Sequence, residues 1–443
     1  MTTRLTPGAL STDLYELTMA AGYHAAGNES LASFELFVRE LPDNRAFLVA
    51  AGLEQALDYL QAWRFSQADI DYLRALPALS GVSRGFFETY LPDLRFTGDV
   101  WAVPEGVPVF AGEPLLRVTA PVVQAQLVET TLLSTVLFQT AVASAAARVV
   151  EAAAGRPVVE FGGRRAHGPE AAVHAARAAY VAGCEGTSNV EAGARFGIPV
   201  SGTMAHSWVM AHEDELSAFR CYMDVHGPQS VLLIDTYDAV AAARLIVGAG
   251  LRPAAVRVDS GDLADLSVAV RRVLDAGSLE DTNILVSGDL DAHAVARLVA
   301  SGAPVHGFGV GTAITTSADA PSLSGVYKLV AIERNGAMTP VGKRSPGKRT
   351  VPGEKQVWRV GAADAVERDV IGLAGESAPP DGHALLSHVV RRGQRVSLPR
   401  TVHDLREDGR LARTALPSVV RRLSGAERFP VTLSTALRDL ADA

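Results

Sequence analysis

Cysteine is almost absent: Cys184 and Cys221 are the only two in 443 residues, which excludes a disulfide framework and fits a reducing, cytoplasmic setting. Excess positive charge is missing too. A formal charge of -8 removes any general attraction to nucleic acid or to anionic membrane, so phosphate-binding power must be local. The opening residues lack the basic flank, apolar stretch and small-residue cleavage site of a secretory leader. There is no HExxH, no CxxC and no close histidine pair, so a protein-caged zinc site is not expected. Lysine is rare: it supplies four of the 41 Lys+Arg side chains, and Lys328, Lys343, Lys348 and Lys355 fall in one short stretch. The longest uncharged run, residues 130–147, approaches membrane-spanning length. It carries Thr130, Thr131, Ser134, Thr135, Gln139, Thr140 and Ser144, which predicts a buried helix instead.

What is present is apolar material, 48% of the chain, enough for two or three packed units. From about residue 157 to residue 311 an apolar, β-prone run, a glycine-and-polar cluster and a helical stretch recur. Six runs are predicted as strands: 157–165, 198–206, 230–238, 254–262, 283–291 and 305–312. The segments 238–250, 262–277 and 291–302 place alanine, leucine and valine at helical spacing and end in glycine. Strand alternating with helix implies a parallel sheet, buried on both faces. The expected fold is α/β, an irregular (β/α) barrel with a second α/β domain built from the N- and C-terminal segments, and a doubly wound open sheet is the alternative. The expected divisions are 1–150, 151–325 and 326–443, the last packing with the first.

Either architecture gathers the strand ends at one mouth. That mouth would hold Glu160, Arg164, Arg165, His167, Ser201, Thr203, His206, Asp235, Asp238, Arg257, Asp259, Asp262, Asp289, Asp291 and the Gly309/Gly311 loop. An aspartate after a strand is more often a helix N-cap than a catalyst, and Asp262 and Asp291 are read as caps. His206 beside Asp235 and Asp259 suits a carboxylate-oriented nucleophile or base as well as a satisfied structural histidine. The run 307–312 suits phosphate on backbone N–H groups. It lacks the third glycine and downstream acid of a dinucleotide fingerprint, so dehydrogenase chemistry is not expected.

Seven ordered segments carry a likeness: 11–20 (STDLYELTMA), 160–172 (EFGGRRAHGPEAA), 185–208, 232–239 (LLIDTYDA), 256–263 (VRVDSGDL), 286–291 (VSGDLD) and 308–314 (FGVGTAI). Together they resemble the nicotinate phosphoribosyltransferase family. The resemblance implies a type II phosphoribosyltransferase fold and a homodimer with shared active sites. It also implies transfer from phosphoribosyl pyrophosphate (PRPP) to nicotinate, giving nicotinate mononucleotide and pyrophosphate in NAD salvage, with ATP and Mg2+ taking part. By it, Asp13 and Tyr15 enter the partner subunit's site, and Tyr15 and Phe161 cover the two faces of the pyridine ring. Arg164 meets the substrate carboxylate or a phosphate, and Arg257 the PRPP phosphates. Asp259 takes the ribose hydroxyls and, with Asp235, the magnesium-bound region. Gly288, Asp289, Gly309, Gly311 and Thr312 cradle the 5-phosphate and ribose, and Thr203 joins the substrate-binding set. His206 matches the histidine that ATP phosphorylates.

Ser188 stands where the nicotinamide-using relative has an acid, which favours nicotinate because a carboxylate there would repel an anionic substrate. Its plainer reading is a helix N-cap. Lys343, Arg344, Lys348, Arg349 and Lys355 are read as pyrophosphate or ATP ligands or, equally, as a solvated basic loop. Quinolinate phosphoribosyltransferase is a poorer match. The rivals kept open are a nicotinamide-using enzyme and a non-catalytic phosphometabolite-binding barrel.

Overall fold

The computed structural model describes residues 7–345 and 349–442. The chain divides into two compact units, one made of residues 1–141 and 322–443 and the other of 142–321.

The second unit contains a six-stranded parallel sheet. Its strands are β1 (Val158–Glu160), β2 (Gly186–Thr187), β3 (Val231–Leu233), β4 (Ala255–Val258), β5 (Asn283–Val286) and β6 (Gly307–Val310). Their order across the sheet is β2-β1-β6-β5-β4-β3, and it curls into a half-barrel with β2 and β3 as its edges. Apolar positions such as Val256, Val258, Ile284, Val286 and Val310 are fully buried, as strands covered on both faces require. Helices Ala239–Gly248, Leu263–Ala276 and Ala292–Ala300 follow β3, β4 and β5, matching the alternation read from the sequence.

One expected strand is corrected. The run 198–206 contributes only an isolated bridge from Val200 to Thr187. Thr187 N–H donates to Pro199 O and Ser201 N–H to Thr187 O, both at 3.0 Å, after which the chain leaves the sheet and enters helix His206–Met210. Pro199 brings no donor, and Gly202 and the polar Ser201 and Thr203 give no β-prone side chains to extend a ladder. The sixth strand is instead β2, two buried residues too short to register as a pattern.

The first unit holds a seven-stranded sheet in the order 337–340, 325–334, 31–38, 114–121, 99–102, 387–391, 394–395, and a four-stranded sheet in the order 382–384, 355–362, 365–373, 431–433. Helix Glu129–Ala152 has the length and hydropathy of a membrane span. Its polar residues are nevertheless matched inside the protein: Thr131 Oγ1 donates to Ser11 O at 2.6 Å, and Thr140 Oγ1 accepts from Ala51 N–H at 3.2 Å. It is a core helix.

This unit buries charge. Arg359 makes a bidentate contact with Asp369, at 3.0 and 2.6 Å, and donates to Pro108 O at 2.9 Å. The guanidinium lies 5.7 and 6.0 Å from the rings of Phe110 and Phe429. Glu113, fully buried, hydrogen-bonds the same aspartate, and burial followed by repulsion from Asp369 pushes its carboxyl well above the ordinary value. Glu113 therefore carries a proton where Asp369 carries charge.

Removing Arg359 would strand a buried anion, so Arg359→Met is expected to cost about 3–5 kcal/mol in denaturant unfolding; a cost below about 1 kcal/mol would be inconsistent with this arrangement. The folded state binds the Glu113 proton more tightly than the unfolded chain does. Its stabilisation is therefore complete below the ordinary value of 4.5 and is lost as pH rises through the raised one. Glu113→Gln, permanently neutral, should lose less stability than the wild type as pH rises above the ordinary value of 4.5, read from denaturation midpoints. Parallel pH curves for the two would contradict the assignment.

Candidate active site

Each turn after β3, β4 and β5 does two jobs with two carboxylates. The later one caps the helix: Asp238 accepts from Ala241 N–H at 2.8 Å, Asp262 from Ala264 and Asp265 at 3.1 Å each, and Asp291 from Ala294 at 2.7 Å. Those side chains are consumed by orphan donors of the helix start. The earlier aspartates, Asp235, Asp259 and Asp289, are left for the mouth.

Asp235 and Asp259 are joined directly. Asp235 Oδ2 accepts from the Asp259 backbone N–H at 2.9 Å and from Ser260 Oγ at 2.7 Å, which fixes the turn after β4 to the end of β3. Ser287, at the end of β5, donates a short hydrogen bond to Asp259 Oδ1. The other oxygen, Asp259 Oδ2, faces His206 Nε2 at 3.9 Å. His206 Nδ1 contacts Thr236 Oγ1 at 3.2 Å, so the ring is oriented from both sides. Arg257 NH2 lies 4.0 Å from Asp259 Oδ1 and donates to Met204 O at 3.3 Å. Burial, together with the nearby Arg164, pushes its guanidinium below the ordinary value, and Asp259 and Asp235 pull it back. It remains a cation, poorly solvated and suited to an anion.

Two buried atoms here lack a partner in the protein: Asp235 Oδ1 and Arg257 Nε. Buried polar atoms are normally matched, so an acceptor and a donor are reserved for something else. Among the described residues no cluster of three or more His, Cys, Asp or Glu could cage a metal. A carboxylate pair with one orphaned oxygen does fit magnesium held mainly through phosphates.

A second group of residues forms beside it. Glu160, fully buried, accepts from Thr315 Oγ1 at 2.7 Å, from Thr187 Oγ1 at 2.6 Å and, in a short contact, from Gly162 N–H, so β1, β2 and the turn after β6 are tied together. Phe161 N–H donates to Val310 O at 2.8 Å. Its ring lies on Gly309, where an added Cβ would meet ring carbons at 2.5 and 2.6 Å. Gly311 precedes the helical turn Thr312–Thr315. Gly288 and Asp289 both adopt left-handed backbone, φ 91° and 40°, and a Cβ on Gly288 would strike Asp259 O.

The remaining candidates fall as follows. Arg164 is exposed in the turn Gly163–Arg165, and Thr203 is half-buried with its hydroxyl on Met204 O at 3.2 Å. Ser188 is exposed, its N–H bonded to Glu160 O at 2.9 Å. It is not the helix cap, because Asn189 fills that position by accepting from Ala192 N–H at 2.9 Å. Asp13 and Tyr15 belong to the other unit and are exposed.

Lys355 is removed from the basic set: its Nζ is buried on Glu35 Oε2 at 2.8 Å and on Gly353 O at 2.9 Å. Lys343 and Arg344 are exposed, Arg349 lies 3.8 Å from Asp442, and Lys348 lies outside the described residues. Sequence reading missed Thr236, Ser260 and Ser287. The triplet Ser-Gly-Asp, at 260–262 and again at 287–289, was the available signal for the two serines.

Residues 10–137 match the nicotinate phosphoribosyltransferase N-terminal domain, and residues 157–357 match the nicotinate phosphoribosyltransferase family. A nicotinate phosphoribosyltransferase of Mycobacterium tuberculosis is 43% identical over 96% of this chain and 92% of its own. One from Bacillus subtilis is 44% identical over 80% of this chain and 73% of its own. The crystal structure of human nicotinic acid phosphoribosyltransferase superposes with a TM-score of 0.84 at 31% identity, covering 97% of this chain and 99% of that one. A nicotinate-nucleotide pyrophosphorylase from Pyrococcus furiosus shares the fold, with a TM-score of 0.74 at 24% identity over 92% of this chain and 95% of that one.

Gly288→Ala should disturb this mouth through the Asp259 carbonyl as well as through its positive φ, at a cost of about 1–3 kcal/mol. Thermal unfolding of the variant checks it, and an unchanged transition would mean that the turn relaxes freely.

Proposed function

The chain belongs to the nicotinate phosphoribosyltransferase family, and on that premise we propose that the strand mouth around Asp259 transfers the phosphoribosyl group of PRPP to nicotinate in NAD salvage. The observation that carries the proposal is the convergence of Arg257, His206, Asp235 and Ser287 on Asp259. Fixed donors and a fixed carboxylate are what a reaction that redistributes charge rather than building new protein bonds demands.

In this reading the pyridine nitrogen attacks ribose C1 while the bond from C1 to the pyrophosphate oxygen breaks. The bonding electrons leave with pyrophosphate, and positive charge settles on the pyridinium ring. Arg257 takes the departing phosphates and Arg164 the nicotinate carboxylate or a phosphate, each as a planar donor. Asp259 accepts from the ribose hydroxyls. Gly288, Asp289, Gly309, Gly311 and Thr312 line the 5-phosphate, where bare backbone lets an anion approach N–H groups closely. Phe161 supports one face of the pyridine, and Tyr15, from the partner subunit of a homodimer, covers the other beside Asp13. Magnesium, engaged by Asp235 and Asp259 and by substrate phosphates, would neutralise charge on the leaving group.

ATP is assigned to His206. An imidazole nitrogen attacks the terminal phosphorus and ADP departs; water later cleaves the phosphorus–nitrogen bond and releases phosphate. Thr236 and Asp259 hold the ring for that exchange. The exposed Ser188 leaves no fixed negative charge to repel nicotinate, and the exposed Cys221 and buried Cys184, neither in a disulfide, suit a cytoplasmic setting.

Purified protein with PRPP, magnesium and ATP is expected to make nicotinate mononucleotide and pyrophosphate, with nicotinamide a poor substitute. A preference for nicotinamide would reverse the substrate assignment, and tight binding without turnover would favour the non-catalytic alternative. Terminally labelled ATP should leave acid-labile label on the chain that His206→Ala abolishes. Label surviving in that variant would move the phosphorylated residue elsewhere.

A further inference from the structure

The segment bearing Asp13 and Tyr15 opens helix Leu14–Ala25. Three consecutive residues at the start of helix Glu129–Ala152 hold it. Thr131 Oγ1 donates to Ser11 O at 2.6 Å. Thr130 Oγ1 lies 3.1 Å from Asp13 Oδ2 and 2.6 Å from Glu16 Oε1. The Tyr15 hydroxyl hydrogen-bonds Glu129, which is itself braced by Gln126 Nε2 at 2.7 Å.

A threonine hydroxyl has one proton and cannot donate to two carboxylates. Glu16 is fully buried, and its second oxygen takes a short hydrogen bond from Thr12. Desolvation pushes its carboxyl up. The Thr130 hydroxyl is therefore shared between the buried Glu16 and the exposed Asp13, and the raised Glu16 carboxyl favours the arrangement in which Thr130 serves Asp13. Asp13 does not cap the helix that follows it, so its orientation comes from this chain of bonds rather than from the helix.

We propose that Thr130, backed by Glu16, is a positioning residue that fixes the Asp13 carboxylate, so that residues 11–16 are held in their substrate-covering shape before nicotinate arrives. The proposal rests on the reading that Asp13 and Tyr15 meet nicotinate. Holding the segment in advance removes an ordering cost from binding, so loss of the hydroxyl weakens nicotinate binding and leaves the chemical step alone.

Thr130→Val is expected to raise KM for nicotinate about tenfold, with kcat and KM for PRPP within about twofold of wild type. Thr130→Ser should restore the wild-type KM. Asp13→Ala should raise the same KM, and the double variant Asp13→Ala/Thr130→Val should be no worse than Asp13→Ala alone. If Asp13→Ala raises KM but Thr130→Val does not, or if the two effects multiply, the positioning role is overturned and the substrate role of Asp13 stands. If Asp13→Ala and Tyr15→Ala both leave nicotinate KM unchanged, the substrate reading fails and the proposal with it. Should Thr130→Val not fold, Thr130→Ala removes the same hydroxyl without adding bulk and reads the same KM.

Discussion

The bond from the Asp259 backbone N–H to Asp235 Oδ2 is the contact on which the mouth of the half-barrel depends. Neighbouring parallel strands bring their carboxyl ends together, but the turns beyond them have no ladder to hold them. Asp235 supplies that tie, and Ser260 and Ser287 complete it. A carboxylate paired with a backbone donor and hydroxyls, rather than with a cation, keeps its charge available. Arg257 and His206 then face an anion already fixed in place, while Asp235 Oδ1 and Arg257 Nε have no partner within the protein.

The other unit buries its charges for a different end. Arg359 with Asp369 and Lys355 with Glu35 are saturated by each other and by carbonyls, and such pairs give register more than net stability. At Arg359 and Lys355 buried charge is closed off, and at Asp235 and Arg257 it is left open. The N-terminal segment stands between the two cases: Glu16 is closed off so that Asp13 can be presented.

Much of this was legible in order. The alternation after residue 157 and the helices behind the caps at Asp262 and Asp291 followed from periodicity and capping chemistry alone. The segment 198–206 misled because its apolar start resembles a strand, while Pro199 and Gly202 end the pairing after one bridge. Ser188 and Asn189 are both good caps, and only the backbone decides which faces the orphan N–H groups. Lys355 seemed part of a basic loop because its neighbours in sequence are charged. Its partner, Glu35, lies 320 positions away.

By itself the sequence determined the fold class and the residue types at the strand ends, because these are written in short-range patterns of apolar spacing, caps and glycine, and it carried the family in the resemblance of seven ordered segments. Only the tertiary structure decided that Asp235 and Asp259 tie neighbouring turns together, that Thr236, Ser260 and Ser287 orient His206, Asp235 and Asp259, and that Thr130 holds Asp13. Those outcomes depend on contacts between residues tens to hundreds of positions apart. A hydrogen bond of about 3 Å exists only once packing has brought both partners to it.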